Sequence, residues 1–190
     1  GNFQTLSDLN GSITIIASVS PPGGDFSEPV TSHTKRFVRS FWALDRELAN
    51  ARHYPSISWT ESYSEYLDDV KQWWHTHINQ EWETTRYAIM ELLQKEQKLL
   101  QVVKLVGPDV LPQTQRLILD ICSVFKNAFL QQSAFDKVDT YTSAKKQFLM
   151  FNAILKLYEK SEELVKKGIT IAEIKATQIY QDILRMKTKK

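Results

Sequence analysis

The sequence predicts a mainly α protein: a C-terminal helical bundle preceded by a remnant (strand, loop, helix) of an α/β domain. Three observations carry that expectation. From residue 60 onward apolar side chains recur at helical spacing. Before that, Ser12-Ile13-Thr14-Ile15-Ile16-Ala17-Ser18-Val19 is β-branched and largely apolar, the pattern of a buried strand. Between the two lies a segment dense in proline and glycine, which ends one kind of order and begins another. The expected boundary divides residues 1–58 from residues 59–190.

Gly11 leads into the strand-like run, and no obvious partner strand follows it. A lone strand cannot satisfy its edge groups or form a stable sheet, so the expectation is a larger α/β domain cut upstream. The loop Pro21-Pro22-Gly23-Gly24-Asp25-Phe26-Ser27-Glu28-Pro29 starts where the strand pattern stops. Its prolines fix φ and withhold N–H donors, while its glycines allow conformations other residues avoid. Such a loop suits ligand contact at the carboxyl edge of a sheet. Asp25 and Glu28 are a conceivable acid and base, but in a turn beside glycines an aspartate more often bonds its own backbone. The stretch 37–45 fits helix or strand by periodicity and stays open, while Tyr54-Pro55 is extended by the proline restriction.

Thr60 is placed to cap a helix to about Ile78, and Asn79 the next, which carries Ile89, Leu92, Leu93, Leu99, Leu100, Val103 and Val106 on one stripe and stops at Gly107-Pro108. A third helix is expected over about 114–130, with Leu117, Ile118, Ile121, Phe125 and Phe129 on its stripe. A fourth, over about 140–167, is apolar on more than one side through Phe148, Leu149, Phe151, Ile154, Leu155 and Tyr158, which marks it as central. Gly168 ends it, and Thr170-Ile171-Ala172-Glu173 has the form of a capping box opening one short last helix. The basic tail, 187–190, is expected to fray.

With 24 Lys and Arg against 22 Asp and Glu, the net charge is +2, which gives no reason to invoke nucleic acid or an anionic surface. The single cysteine, Cys122, sits in an apolar helical pattern and reads as a buried reduced thiol, so no disulfide forms within the chain. No run reaches the roughly 18 apolar residues of a membrane span. His75 and His77 are two apart and fall on different helix faces, which argues against a zinc pair. Trp73, Trp74 and Trp82 suit core or intersubunit contacts better than a ligand cage.

The Pro-Pro-Gly-Gly-Asp-Phe loop, Phe41-Trp42-Ala43-Leu44-Asp45 with His53-Tyr54-Pro55, Leu105-Val106-Gly107-Pro108-Asp109, and Phe129-Leu130-Gln131-Gln132-Ser133-Ala134-Phe135-Asp136 leading to Val138-Asp139-Thr140-Tyr141 occur in a telling order. Together they resemble the catalytic A subunit of the V/A-type rotary ATPases over about its last third. The chain departs from that pattern at Ser133, where asparagine or aspartate is usual, and at Ala17-Ser18, where a glycine-alanine pair is usual. The first departure touches one side-chain contact near the base.

The resemblance implies the end of a truncated nucleotide-binding domain over 1–58, followed by the family's C-terminal helical domain over 59–190. It implies a subunit that couples ATP hydrolysis or synthesis to H⁺ or Na⁺ translocation, using ATP or ADP with Mg²⁺. Its partners would be a non-catalytic B subunit, central stalk subunits and a membrane ion-translocating sector, with no nucleic acid, and its place the cytoplasmic face of the membrane as part of that complex. It further implies that Phe26, Gln131, Ala134 and Phe135 hold the adenine, with Phe129 kept as core, and that Gly107-Pro108-Asp109 touches the rotor shaft. By sequence alone an ordinary helix-helix turn is the favoured reading, because Gly-Pro-Asp is common turn chemistry.

A phosphate-binding loop needs Gly-x-x-x-x-Gly-Lys followed by Ser or Thr, and no glycine of this chain has that spacing. The resemblance implies that the phosphate and Mg²⁺ ligands lie upstream of Gly1, and no cofactor is expected to stay tightly bound to these residues. Two alternatives remain, the first from a different class. One is a free-standing helical interaction module whose N-terminal strand is donated to a partner sheet. The other is the family's non-catalytic paralogue, against which the Pro-Pro-Gly-Gly-Asp-Phe loop argues. The purified 190 residues are expected to show no Mg²⁺-dependent ATP turnover above background and no better than millimolar ATP affinity by calorimetry, because base contacts alone leave a transferring phosphoryl group unsupported. Turnover by the purified chain would overturn the truncation expectation.

Overall fold

The computed structural model describes residues 2–4, 10–107 and 110–189. The chain divides into two compact units, residues 1–41 and 42–190.

In the first unit β1 (Asn2–Gln4) pairs antiparallel with β2 (Asn10–Ser12), with Phe3 opposite Gly11. The strand expected through Val19 does not form. Residues 13–20 run without regular structure, and Ile15 and Ile16 are 85% and 83% exposed. The apolar run is the signature of a strand flanked on both sides, and among the described residues no neighbouring strand lies beside it to complete a ladder. The loop behaves as its composition demands. Pro22–Gly24 makes a single 3-10 turn, with Gly23 and Gly24 at φ 65° and 77°. Asp25 Oδ1 accepts from the N–H and the hydroxyl of Ser27 (2.9 and 2.6 Å), so it bonds its own turn. Glu28 caps α1 (Pro29–Phe37), accepting from Val30 N–H at 2.8 Å and Thr31 N–H at 2.9 Å. These donors hold both carboxyls below the usual carboxylate range. The stretch left open resolves into helix up to Phe37 and extended chain at Ser40–Phe41.

In the second unit Asp45 caps the short α2 (Arg46–Asn50), its Oδ1 accepting from Leu48 N–H at 2.9 Å. Thr60 does not cap a helix. Its hydroxyl meets Ser58 Oγ at 3.2 Å within a closed turn, and α3 (Leu67–His77) starts only after Tyr66, with Asp68 and Asp69 in its first turn. Asn79 does not cap the next helix either: the cap position is Glu81, and Asn79 forms an Asx turn just before it, Oδ1 accepting from Glu81 N–H at 2.7 Å. That helix, α4 (Trp82–Val106), ends at Gly107, whose φ of 81° suits glycine. Pro108 and Asp109 lie outside the described residues.

The third helix, α5 (Gln113–Phe125), is shorter than expected, because Lys126–Leu130 widens into a π-helical turn. The fourth, α6 (Ala144–Lys166), begins at the Ser143 cap rather than at Thr140. Gly168 turns the chain at φ 92°, and Thr170 and Glu173 form the capping box, with Thr170 N–H donating to Glu173 Oε2 at 2.8 Å. Two short helices come next instead of one: α7 (Ile171–Lys175) and α8 (Gln178–Leu184). Thr177 separates them, its hydroxyl donating to Ile174 O (2.7 Å) while accepting from Tyr180 N–H. The tail through Lys189 is not frayed. Met186–Thr188 forms a 3-10 turn, and Lys146 Nζ donates to the carbonyls of Lys187 and Lys189 at 2.8 and 2.6 Å.

The core lies among α4, α5 and α6, where Leu93, Leu117, Ile121 and Ile154 are almost wholly buried. Helix α6 packs against α4, α5, α7 and α8. Ile174 and Tyr180 bring α7 and α8 onto the same cluster, Lys175 pairs with Asp120, and Tyr180 Oη donates to the same carboxylate at 2.7 Å. Phe129 stacks on Phe125 and meets Phe151 edge-on, a packing role as read from the sequence. Cys122 is buried, its Sγ donating to Leu92 O at 3.5 Å, and burial pushes the thiol up to about 12. The tryptophans join α3 to α4, with Trp74 stacked on Trp82 at 4.7 Å. His77 Nδ1 lies 2.9 Å from Trp73 O, and His75 faces Glu83 at 3.8 Å. Ile154→Ala is expected to destabilise the helical unit by about 2–5 kcal/mol with an unchanged m-value in urea unfolding, since the truncated site lies where three helices meet. A loss below about 0.5 kcal/mol would show that this interior is loosely packed.

Candidate functional site

The site begins at the π-helical turn. Gln131 N–H donates to Lys126 O (2.9 Å), five residues back, and the same carbonyl accepts from His53 Nε2 at 3.0 Å. The Lys126 side chain runs the other way. Its ammonium lies 2.7 and 2.6 Å from the two oxygens of buried Glu96 on α4, and 4.9 Å from the centre of the Trp59 ring. A buried carboxylate is tolerated only with such a partner, and the aromatic face adds a cation–π contact. His53 meets the same indole edge-on at 5.7 Å.

The chain after the turn is locked by two aspartates. Asp136 Oδ1 accepts from the N–H groups of Val138 and Asp139, both at 2.8 Å, which holds its carboxyl below the usual range. Asp139, almost fully buried, accepts from Ser133 N–H at 2.8 Å. Ser133 thus serves this loop through its backbone, whatever its side chain. Gln132 N–H donates to Tyr54 O at 2.8 Å, and its side-chain amide to Asp139 O at 3.1 Å. On the facing segment Arg52 adopts φ 56°, the left-handed conformation that closes α2, with His53 N–H returning to Leu48 O at 2.9 Å. The Tyr54–Pro55 peptide bond is cis.

Between these two segments lies an open cavity of about 800 Å³. Gln131, Gln132, Ser133, Ala134 and Phe135 form one wall, Arg52, Tyr54 and Pro55 another, and Asp139, Thr140 and Lys187 complete it. Phe135 is 100% exposed and Tyr54 53% exposed, so two aromatic side chains of one small concavity are free of core packing. Exposed rings beside amides and two cationic side chains suit a flat, polar-edged ligand that stacks and hydrogen-bonds. Among the described residues no cluster of His, Cys, Asp and Glu is arranged to hold a metal.

Of the predicted site residues, Gln131, Ala134 and Phe135 come together in this cavity. Phe26 belongs to the first unit, where its ring meets Phe41 edge-on at 5.8 Å and Lys35 Nζ approaches at 5.9 Å. Gly107 closes α4, while Pro108 and Asp109 lie outside the described residues. Reasoning from sequence passed over Arg52, Tyr54, Asp139 and Lys187 as lining residues. Tyr54 and Asp139 stand inside motifs already singled out. Lys187 carries no comparable signal, because it reaches the wall from 56 residues away along the chain.

The family described as the C-terminal domain of V and A type ATP synthase matches residues 71–175. The nucleotide-binding domain of the ATP synthase alpha/beta family matches residues 2–64. The V-type ATP synthase alpha chain of Halothermothrix orenii is 51% identical over 188 residues, 98% of this chain and 32% of that protein. The corresponding A subunit of the A-type ATP synthase from Methanopyrus kandleri is 51% identical over 95% of this chain and 30% of its own length. The chain thus spans about a third of the length of these relatives. Among solved structures, an ATP synthase subunit, NeqB, from Nanoarcheaum equitans has a TM-score of 0.60 at 19% identity, covering 73% of this chain and 32% of that one, a likeness of fold. Helical domain, loop motifs and relatives agree, and the chain belongs to the V and A type ATP synthase family, as a portion of its A subunit.

Proposed function

We propose that this chain supplies part of the adenine pocket and the shaft-contacting helical domain of a catalytic A subunit, which couples ATP hydrolysis or synthesis to H⁺ or Na⁺ translocation. The observation that carries the reading is the wall formed by Gln131, Ala134 and Phe135, with the Phe135 ring presented to solvent rather than to the core. In this reading the base stacks on Phe135, faces Tyr54 across the cavity, and meets the Gln131 amide at its edge. Phe26 contributes from the Pro-Pro-Gly-Gly-Asp-Phe loop. Residues 1–58 then close a nucleotide-binding domain and 59–190 form the helical domain. Phosphates and Mg²⁺ are held elsewhere in the whole protein. The non-catalytic B subunit, the central stalk and the membrane ion-translocating sector complete the machine at the cytoplasmic face.

Stacking is made equally in the ground and transition states, so its loss weakens binding more than turnover. In the full-length subunit, Phe135→Ala should raise KM for ATP about tenfold, the scale of one lost stacking contact, with a smaller fall in kcat and relaxed selectivity against GTP. An unchanged KM with a collapsed kcat would reassign Phe135 to a structural or relay role.

Gly107-Pro108-Asp109 is proposed as the rotor contact because it comes directly after α4, a helix of 25 residues, about 37 Å long at 1.5 Å per residue. A helix passes displacement along its axis with little loss. Replacing the three residues by a flexible Gly/Ser segment of equal length should leave nucleotide affinity intact and lower the torque seen in single-molecule rotation under viscous load. Unchanged torque would make the segment an ordinary turn.

A further inference from the structure

We infer that Lys187 is a positioning residue for the proposed base pocket, acting through the backbone of its Gln131 wall; the inference rests on reading that cavity as the base pocket. Its Nζ donates to Asn127 O at 3.0 Å and to Gln131 O at 3.1 Å, and its side chain lines the cavity itself.

The π-helical turn creates the need for this contact. A helix leaves its last carbonyls without intrahelical donors, to be met by side chains or water; that of Asn127 is exposed, whereas Gln131 is half-buried. Here the amides best placed to serve Asn127 are already engaged: Gln131 N–H with Lys126 O, and Gln132 N–H with Tyr54 O. The Lys187 ammonium supplies the missing donor, and its charge is favoured at the carbonyl end of α5 and its π-helical extension. By bonding Asn127 and Gln131 together it ties the body of the turn to the first residue of the pocket wall.

The lysine is delivered by a turn that is itself held. Lys146 Nζ, from the start of α6, donates to the carbonyls of Lys187 (2.8 Å) and Lys189 (2.6 Å), and Lys189 pairs with Asp182 of α8 at 3.0 Å. One chain of contacts thus runs from α6 through the tail to the wall of the cavity. A lysine that only stabilised the bundle would need no place at the cavity, and its removal would not separate KM from kcat.

The test uses the full-length subunit in its assembled complex, with Phe135→Ala as the reference for the site. Lys187→Met removes the donors and keeps the stem, so it should raise KM for ATP about three- to tenfold, the scale of one ordinary hydrogen bond's net contribution, at unchanged kcat. Lys187→Arg keeps the donors and should restore KM to within about twofold of the parent. Lys146→Met, which removes the donor to the Lys187 carbonyl but keeps the Lys187 side chain, should shift KM in the same direction. The double variant should add little to Lys187→Met, because both act through one bridge. A parental KM in Lys187→Met beside a raised KM in Phe135→Ala overturns the inference and leaves the pocket reading intact. Should Lys187→Met fail to assemble, a parental KM in Lys146→Met overturns it equally. If Phe135→Ala also leaves KM unchanged, the pocket reading fails and the role of Lys187 falls with it.

Discussion

Residue Lys126 is the point on which the helical unit and its cavity both depend. Its ammonium neutralises Glu96, a carboxylate buried against α5 that would otherwise carry the full cost of an unpaired charge. Its carbonyl serves two donors at once, Gln131 N–H and His53 Nε2. The first bond widens the helix into its final π turn, and the second fastens the Arg52–Pro55 segment beside it. One residue therefore ties α4, the end of α5 and the facing wall of the cavity together, with the Trp59 ring lying against its ammonium.

The π turn sets the path of the chain beyond it. An α-helix carried through Leu130 in register would leave the next residues rotated and the Gln131 amide bonded one residue later. The wider turn releases the chain at Gln131, where the Arg52 and Tyr54 carbonyls accept from the side chain of Gln131 and the backbone of Gln132. Beyond that point Asp136 and Asp139 satisfy the loop's own N–H groups, so residues 133–139 keep their shape without apolar packing. The Phe135 ring is then presented rather than buried.

The second contribution to rigidity is cationic. Lys126, Lys146 and Lys187 each donate to carbonyl or carboxylate groups at helix ends or within the bundle. All three sit where backbone groups lack intrahelical donors or where a buried charge needs one. A net charge near zero conceals this, because these lysines act as local hydrogen-bond donors and not as a field.

By itself the sequence determined the helical bundle, its core stripe through Ile89, Leu93, Leu117, Ile121 and Ile154, the Thr170–Glu173 capping box, the self-bonded Asp25 turn and the family. These depend on periodicity and on contacts within a few residues, which a linear reading captures. Tertiary structure decided the rest. The run at 13–19 has strand chemistry but needs neighbouring strands to become one. Thr60 has capping chemistry, yet a serine two residues away claims its hydroxyl. The ordered tail follows from the Lys146 hydrogen bonds, which local pattern does not encode, whereas the break at Thr177 is a local cap that the linear reading missed. The cavity shows the same division: Gln131, Ala134 and Phe135 are legible as a motif, whereas Arg52 and Lys187 join them only because the backbone carbonyls at the end of α5 recruit donors from far along the chain.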